Sequence, residues 1–208
     1  LLGDPRWMSA VRNSLLVAVA TTGLSMAVGV AAAFGVRSLD DGHRRLVGAV
    51  AVLPLLVPGV VLGVTLLTFF SRFSLQQSYL AIVLAHTLWA VPLTYSVTRS
   101  SLSRFDWRLY EAARDVGATP AYAFRTVVAP NVRAGLFGAA LVAFVISLQE
   151  FVMTLFLSGP DTRTVPVLAW NSLRGSLDPL VSVVSTLLVA VVLVVVAAVG
   201  VERLARDA

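Results

Sequence analysis

Apolar residues run along this chain in five long, nearly uninterrupted stretches, at about 14–36, 46–70, 80–98, 134–157 and 180–201. Each is near or above the ~20 residues that a helix needs to cross a bilayer. Backbone in hydrocarbon must bond to itself, so the pattern predicts five spanning helices and an all-α polytopic membrane protein. Polar positions gather between the runs, and the longest such interval, 99–133, is itself patterned at helical spacing. Asp106 is placed to cap a short helix, Leu109, Ala112, Ala113 and Val116 give that helix one apolar face, and Gly117 supplies a left-handed residue to end it. Thr119 and Pro120 then form an N-cap with proline at the first helical position. Phe124, Val127 and Val128 make the second helix's apolar side, and Pro130 is expected to stop it. A DNA-reading helix-turn-helix has a similar local pattern, but this one lies between two membrane runs.

Several spans carry more than lipid solvation requires. Ser25, Gly29 and Ala33 repeat at every fourth position, as do Ala139 and Ala143. Either this is a pair of flat faces for close helix contact, or it is coincidence in an alanine-rich chain. Pro54, Pro58, Gly59 and Gly63 loosen the second span and Pro92 the third, as broken helices beside a translocation path do and as purely structural kinks do. Trp89, Trp107, Trp170, Tyr79 and Tyr95 are read as sitting at or near span ends, at headgroup level.

Composition sharpens the class. The chain of 208 residues is 58% hydrophobic and 13% charged, against about 25% charged in soluble domains. Its sixteen basic residues are all arginine. Eleven fall on one set of loops (Arg37, Arg44, Arg45, Arg99, Arg104, Arg108, Arg114, Arg125, Arg133, Arg203, Arg206) and five on the other (Arg6, Arg12, Arg72, Arg163, Arg174). The positive-inside rule therefore puts the 99–133 loop and the C-terminus in the cytoplasm and the N-terminus outside. That alternation also argues against a nucleic-acid partner. A chain opening on Leu1 without an initiating methionine is expected to have one more span upstream, making six in all.

Little catalytic chemistry is available. Cysteine is absent, His43 and His86 have no second ligand at metal spacing, and no phosphate-binding glycine motif occurs. The predicted catalytic and metal residues are therefore none, and any ATP must bind elsewhere. Glu150 is the one acidic residue inside an apolar run. A carboxylate there must be paired, solvated or protonated. It is read either as a weak electrostatic site for an ammonium group in transit or as a structural hydrogen bond to a partner subunit, Arg163 or Arg174. Trp170 stacks on a cation or anchors at the interface. A membrane-embedded enzyme would need more polar groups than this, and a structural or regulatory subunit would not need the two-helix loop.

The string EAARDVGATPAYAFRTVVAP, residues 111–130, resembles the EAA loop of permease subunits in binding-protein-dependent ABC importers of the MetI-like, type I class. Glu111, Ala112, Ala113, Gly117, Val127 and Pro130 occupy the motif positions, while Ala129 stands where that family more often has leucine. The resemblance implies one transmembrane domain over 1–208 with a coupling loop at 99–133. Glu111, Ala112, Ala113, Gly117, Ala118, Thr119, Pro120, Phe124 and Pro130 would act in it, with the helix after the glycine docking into a cytoplasmic ATPase. Glu111 would accept hydrogen bonds that hold the loop in one shape. It also implies a bacterial inner-membrane location, a second permease, an ATPase dimer that binds ATP and Mg, and an external solute-binding protein. Residues 147–179 are similar to the second permease of spermidine and putrescine importers, with Gln149 replacing the first acid of an acidic pair and Glu150 keeping the second. A polyamine is thus the implied cargo, with Glu150, Gln149 and Trp170 on its path; iron(III), thiamine or related amino compounds are alternatives.

Overall fold

The computed structural model describes residues 4–175 and seven scattered helical positions, 183, 186, 187, 189, 190, 193 and 194. The expected span at 180–201 otherwise lies outside the described residues, as do Arg203 and Arg206. Among the described residues all regular structure is helical, from α1 (Pro5–Gly35), α2 (Asp41–Leu56), α3 (Gly59–Ser71) and α4 (Tyr79–Ser103) through α5 (Arg108–Asp115) and α6 (Pro120–Ala123) to α7 (Ala129–Gln149), α8 (Val152–Leu157) and α9 (Val165–Gly175).

Three helical stretches are long and apolar enough to cross a membrane, Pro5–Ser38, Tyr79–Ser103 and Pro120–Gln149, with α2 and α3 as a fourth if that bent pair is one span. Helix α1 begins well before the predicted 14. Asp4 accepts the Arg6 N–H at 2.9 Å and Pro5 sits at the first helical position, a start that Arg6, Arg12 and Asn13 hide from a hydropathy reading. Its buried stripe steps by three and four residues through Trp7, Ala10, Ser14, Val17, Thr21, Ser25, Gly29 and Ala33. At Gly29 the close approach to α4 is absolute: a Cβ there would stand 2.1 Å from Thr94 Oγ1 and 2.9 Å from the Tyr95 backbone nitrogen. The small-residue repeat is thus a helix-contact face.

The second predicted span is broken. Pro54, Val57 and Pro58 interrupt the hydrogen-bond ladder, and α2 and α3 meet at 92°. Trp89, expected at headgroup level, instead lies in the middle of α4, where its ring stands 3.1 Å from where a Gly59 Cβ would be and its Nε1–H donates to the Pro54 carbonyl at 3.2 Å. Pro58 has no N–H to give that carbonyl, which takes the Trp89 bond beside a long one from the Val57 N–H at 3.4 Å. Tyr95 is likewise buried, packed with Ala33, Val36 and Leu102. Pro92, by contrast, stays inside α4 without ending it.

Two further expectations change. Pro130 does not stop the helix that Pro120 starts. A π-helical stretch, Phe124–Val128, carries the chain into α7, with the Ala129 N–H reaching back five residues to the Phe124 carbonyl. The widened turn absorbs a proline that lacks an N–H and crowds the carbonyl four residues behind it. Conversely, the predicted span 134–157 is not one helix: it breaks at Glu150, where the backbone turns extended before α8.

Side-chain pairings show how the helices run. Asn13 of α1 lies against Tyr79 at the start of α4, and Ala33 and Val36 lie with Leu102 near its end, so α1 and α4 are parallel. Val128 and Val132 join that second cluster, and Phe34 packs edge-on against Phe124 at 5.3 Å. The 37–45 and 99–133 connections therefore share one end of the bundle, and the 158–164 connection lies at the other.

The glycine contacts yield a direct test. Gly29→Ala is expected to destabilise the protein by about 1–3 kcal/mol through overpacking. Gly23→Ala, on the same helix with nothing within 4 Å of its Cβ, is expected to be neutral or to gain up to about 1 kcal/mol of helix propensity. Thermal unfolding of both variants in detergent checks this; equal midpoints would contradict the packing.

Candidate functional site

Two places carry unusual polar construction. The first is the hairpin α5–α6 at one end. Asp106 accepts the Arg108 N–H at 3.1 Å, starting α5. Its C-terminus closes on Gly117, the one glycine with positive φ (+91°) among the described residues. The Ala118 N–H bonds the Ala113 carbonyl and the Gly117 N–H bonds the Arg114 carbonyl, each at 3.0 Å, so two carbonyls that a helix end leaves bare are satisfied. Thr119 Oγ1 then accepts the Tyr122 N–H at 3.3 Å, and Pro120 opens α6. Four residues, 116–119, carry the chain from one capped helix into the next with no slack.

The hairpin is fixed to the bundle through aromatic rings. The Arg37 guanidinium lies over the Trp107 ring, and Trp107 contacts both Phe105 and Tyr110 edge-on. Its outward side is different. Leu109 is 52% exposed, Tyr122 63% and Val116 86%, and no residue of α5 is buried. Glu111 and Ala112 are exposed too, and Ala113 is half-buried. Among the described residues the Glu111 carboxylate makes no hydrogen bond; the caps and Trp107, not Glu111, hold the loop's shape here.

The second place is the break at Glu150, whose side chain is almost wholly enclosed. Its Oε1 accepts the Met153 N–H at 2.7 Å, and its Oε2 accepts the Thr154 N–H at 3.0 Å and the Thr154 hydroxyl at 2.7 Å. His86 Nε2 lies 3.1 Å from the same Oε2 and 2.7 Å from Thr154 Oγ1, while His86 Nδ1 meets Ser147 Oγ at 2.7 Å. With Nε2 turned to Glu150 and Thr154 and Nδ1 to Ser147, no polar group of the cluster lacks a partner. Glu150 thus caps α8 and links it to α4 and α7. Arg163 and Arg174, considered above as its partners, are elsewhere: Arg163 offers its carbonyl to Asn13, and Arg174 lies 5.8 Å from the Trp170 ring. His86, the one histidine in its span, thus bonds to residues far along the chain. The signals available were a lone polar residue mid-span and a threonine four positions after Glu150; neither names its partner across 60 residues.

Around this hub the three residues assigned to a solute path fall near one another but face differently. Gln149 is exposed at the end of α7. Trp170 is 43% exposed, with its ring 5.5 Å from Phe151. Glu150 points inward. The adjoining 158–164 connection is tied down by Asn13 Nδ2, which donates to the Asp161 and Arg163 carbonyls at 2.8 and 3.0 Å. Ser14 Oγ accepts the Val165 N–H, and Thr162 Oγ1 bridges the Gly159 N–H and the Gln77 carbonyl. Sequence reasoning passed over Asn13, Ser14 and Thr162, since each looks like an ordinary polar residue near a span end.

The described residues thus form a polytopic helical bundle with one bent span, one span interrupted by a buried acid and a capped helical hairpin at one end. Solved chains share the architecture: that of the MetNI methionine ABC transporter in an inward-facing conformation superposes with a TM-score of 0.76 at 19% identity, covering 97% of this chain and 95% of that one. Residues 23–207 match the family described as binding-protein-dependent transport system inner membrane component, and this chain belongs to that family. It is a transporter subunit and not an enzyme. Among curated relatives, the putrescine transport system permease protein PotI of Escherichia coli (strain K12) is 31% identical over 92% of this chain and 71% of its own length. The spermidine/putrescine transport system permease protein PotC of the same strain is 23% identical over 100% of this chain and 78% of its own length.

Glu150→Gln replaces one acceptor oxygen by a donor facing N–H groups, so it is expected to cost about 1–3 kcal/mol. Thermal unfolding in detergent measures it, and an unchanged midpoint would remove Glu150 as the cap of α8.

Proposed function

We propose that this chain imports a polyamine as one of a pair of different permeases, delivered by a solute-binding protein on the outer side and driven by a cytoplasmic ATPase dimer that holds ATP and Mg. In this reading the 99–133 connection and the C-terminus face the cytoplasm. The α5–α6 hairpin, through Glu111, Ala112, Ala113, Gly117, Ala118, Thr119, Pro120, Phe124 and Pro130, transmits closure of the ATPase to the bundle. The observation that carries this is the contrast within the hairpin. Its two helices are fixed end to end by caps, yet Leu109, Val116 and Tyr122 lie bare, apolar side chains that none of the described residues covers. A lever needs both properties. Rigidity passes force onward, and the open face receives it. The π turn before Pro130 joins the hairpin to α7 without a flexible break, so displacement of α6 moves α7 and, through Glu150, α8.

Polyamine as cargo rests on the likeness to the PotI and PotC permeases and on the surface beside the Glu150 break. Gln149 and Trp170 face outward there and line the path in this reading, with an indole ring available to an ammonium group. Glu150, whose oxygens are occupied, positions α8 beneath them.

Gly117→Asp puts a side chain at φ +91° and a charge on the turn, at a cost of roughly 1 kcal/mol or more in strain. Expressed with its cognate partners, the variant is expected to insert normally, hydrolyse ATP and lose most putrescine uptake. Normal uptake would refute the coupling role. A wild-type assembly that transports but takes up no polyamine would refute the cargo alone.

A further inference from the structure

At the hairpin end, three arginines converge on a pocket of about 350 Å³ between α1, α2 and α4, floored by Ala33 and Leu102. Two of them are held in place by the fold. Arg44 donates to the Val36 and Leu39 carbonyls at 3.4 and 2.9 Å and lies 3.3 Å from Asp41. Arg37 stacks on Trp107, with the Glu111 charge in reach. Arg99, one turn before the end of α4, is different: among the described residues it makes no hydrogen bond or ion pair. Beside it, the Tyr95 hydroxyl is buried with no partner. Both border the gap left by Gly48, whose Cβ would stand 3.2 Å from Arg99 Nη1 and 3.8 Å from the Tyr95 hydroxyl. An arginine without a partner among the described residues, lining a partly enclosed pocket together with Arg37 and Arg44, calls for an anion.

The surroundings identify its source. Helix α2 starts at this pocket and turns Leu46, Val50 and Leu53 outward, 60%, 54% and 53% exposed, an apolar strip at every third or fourth residue suited to lipid. The pocket thus opens where a bilayer's phosphates lie. We propose that it binds the headgroup phosphate of an anionic phospholipid, held by Arg99 with Arg37 and Arg44 around it.

The test is native mass spectrometry of the full chain with its cognate partners in detergent, titrated with phosphatidylglycerol or phosphatidylcholine of matched acyl chains. Wild type is expected to retain phosphatidylglycerol about fivefold or more in preference, the effect of roughly one arginine at a charged membrane surface. Arg99→Gln is expected to lose that preference and Arg99→Lys to keep most of it. Gly48→Leu, which fills the gap and leaves every charge in place, is expected to lower retention as well, and it decides the matter if Arg99→Gln does not fold. Inorganic phosphate is expected not to displace the lipid. Equal retention of the two lipids by wild type, undiminished preference in both Arg99→Gln and Gly48→Leu, or displacement by inorganic phosphate would overturn the proposal.

Discussion

A helix that breaks inside a membrane frees backbone groups where no water reaches them, and each costs several kcal/mol until something bonds it. At Glu150 the break is closed by one carboxylate, which accepts two N–H groups and a hydroxyl of α8 and meets His86 across the bundle. Much of the rest follows from that closure. Because α8 is held, Phe156 can pack on Gly63 of α3, where a Cβ would come within 2.6 Å of the ring, and the bent second span has a surface to turn against. Because Leu157 is held, its carbonyl can receive the Gln77 N–H at 3.0 Å, which ties the 158–164 connection back to the start of α4. The acid is costly to bury, and it repays that cost by organising three helices at once.

At the opposite end the same requirement is met by different means. There the chain leaves the apolar layer, so ends can be capped by glycine, threonine and aspartate of the usual kind, and the hairpin becomes a stiff body with an uncovered apolar side. The two ends are joined through α7, which starts at the π turn and stops at Glu150. A permease works by moving between arrangements, and a continuous rod linking the hairpin to a buried polar hub is a physical route for such movement.

The hairpin was almost fully legible in the sequence, because caps act over three or four residues: Asp106, Gly117, Thr119 and Pro120 all do locally what their chemistry requires. The repeat at Ser25, Gly29 and Ala33 was visible as a pattern, but it took the approach of Gly29 to Thr94 and Tyr95 to decide between helix contact and coincidence. What could not be read were bonds spanning tens of residues. His86 to Glu150, Asn13 to the 158–164 connection and Trp89 to Pro54 depend on how the helices stack, which periodicity does not encode. Pro130 was misread because proline's usual effect is to end a helix, and nothing local announces that a π turn will accommodate it. The spans at 46–70 and 134–157 looked continuous since hydropathy averages over a break that one or two residues make.

The central claim, that the hairpin's bare face meets the ATPase, can be probed in a chain naturally free of cysteine. A single Val116→Cys substitution supplies a unique site on that face for a short thiol-to-amine cross-linker, with the permease assembled in its native complex in membrane vesicles. The account predicts a cross-link to the ATPase subunit whose yield changes when ATP is added, and none from an equivalent cysteine at Arg163. Efficient cross-linking from Arg163→Cys, or none from Val116→Cys in an assembly that still transports, would contradict it.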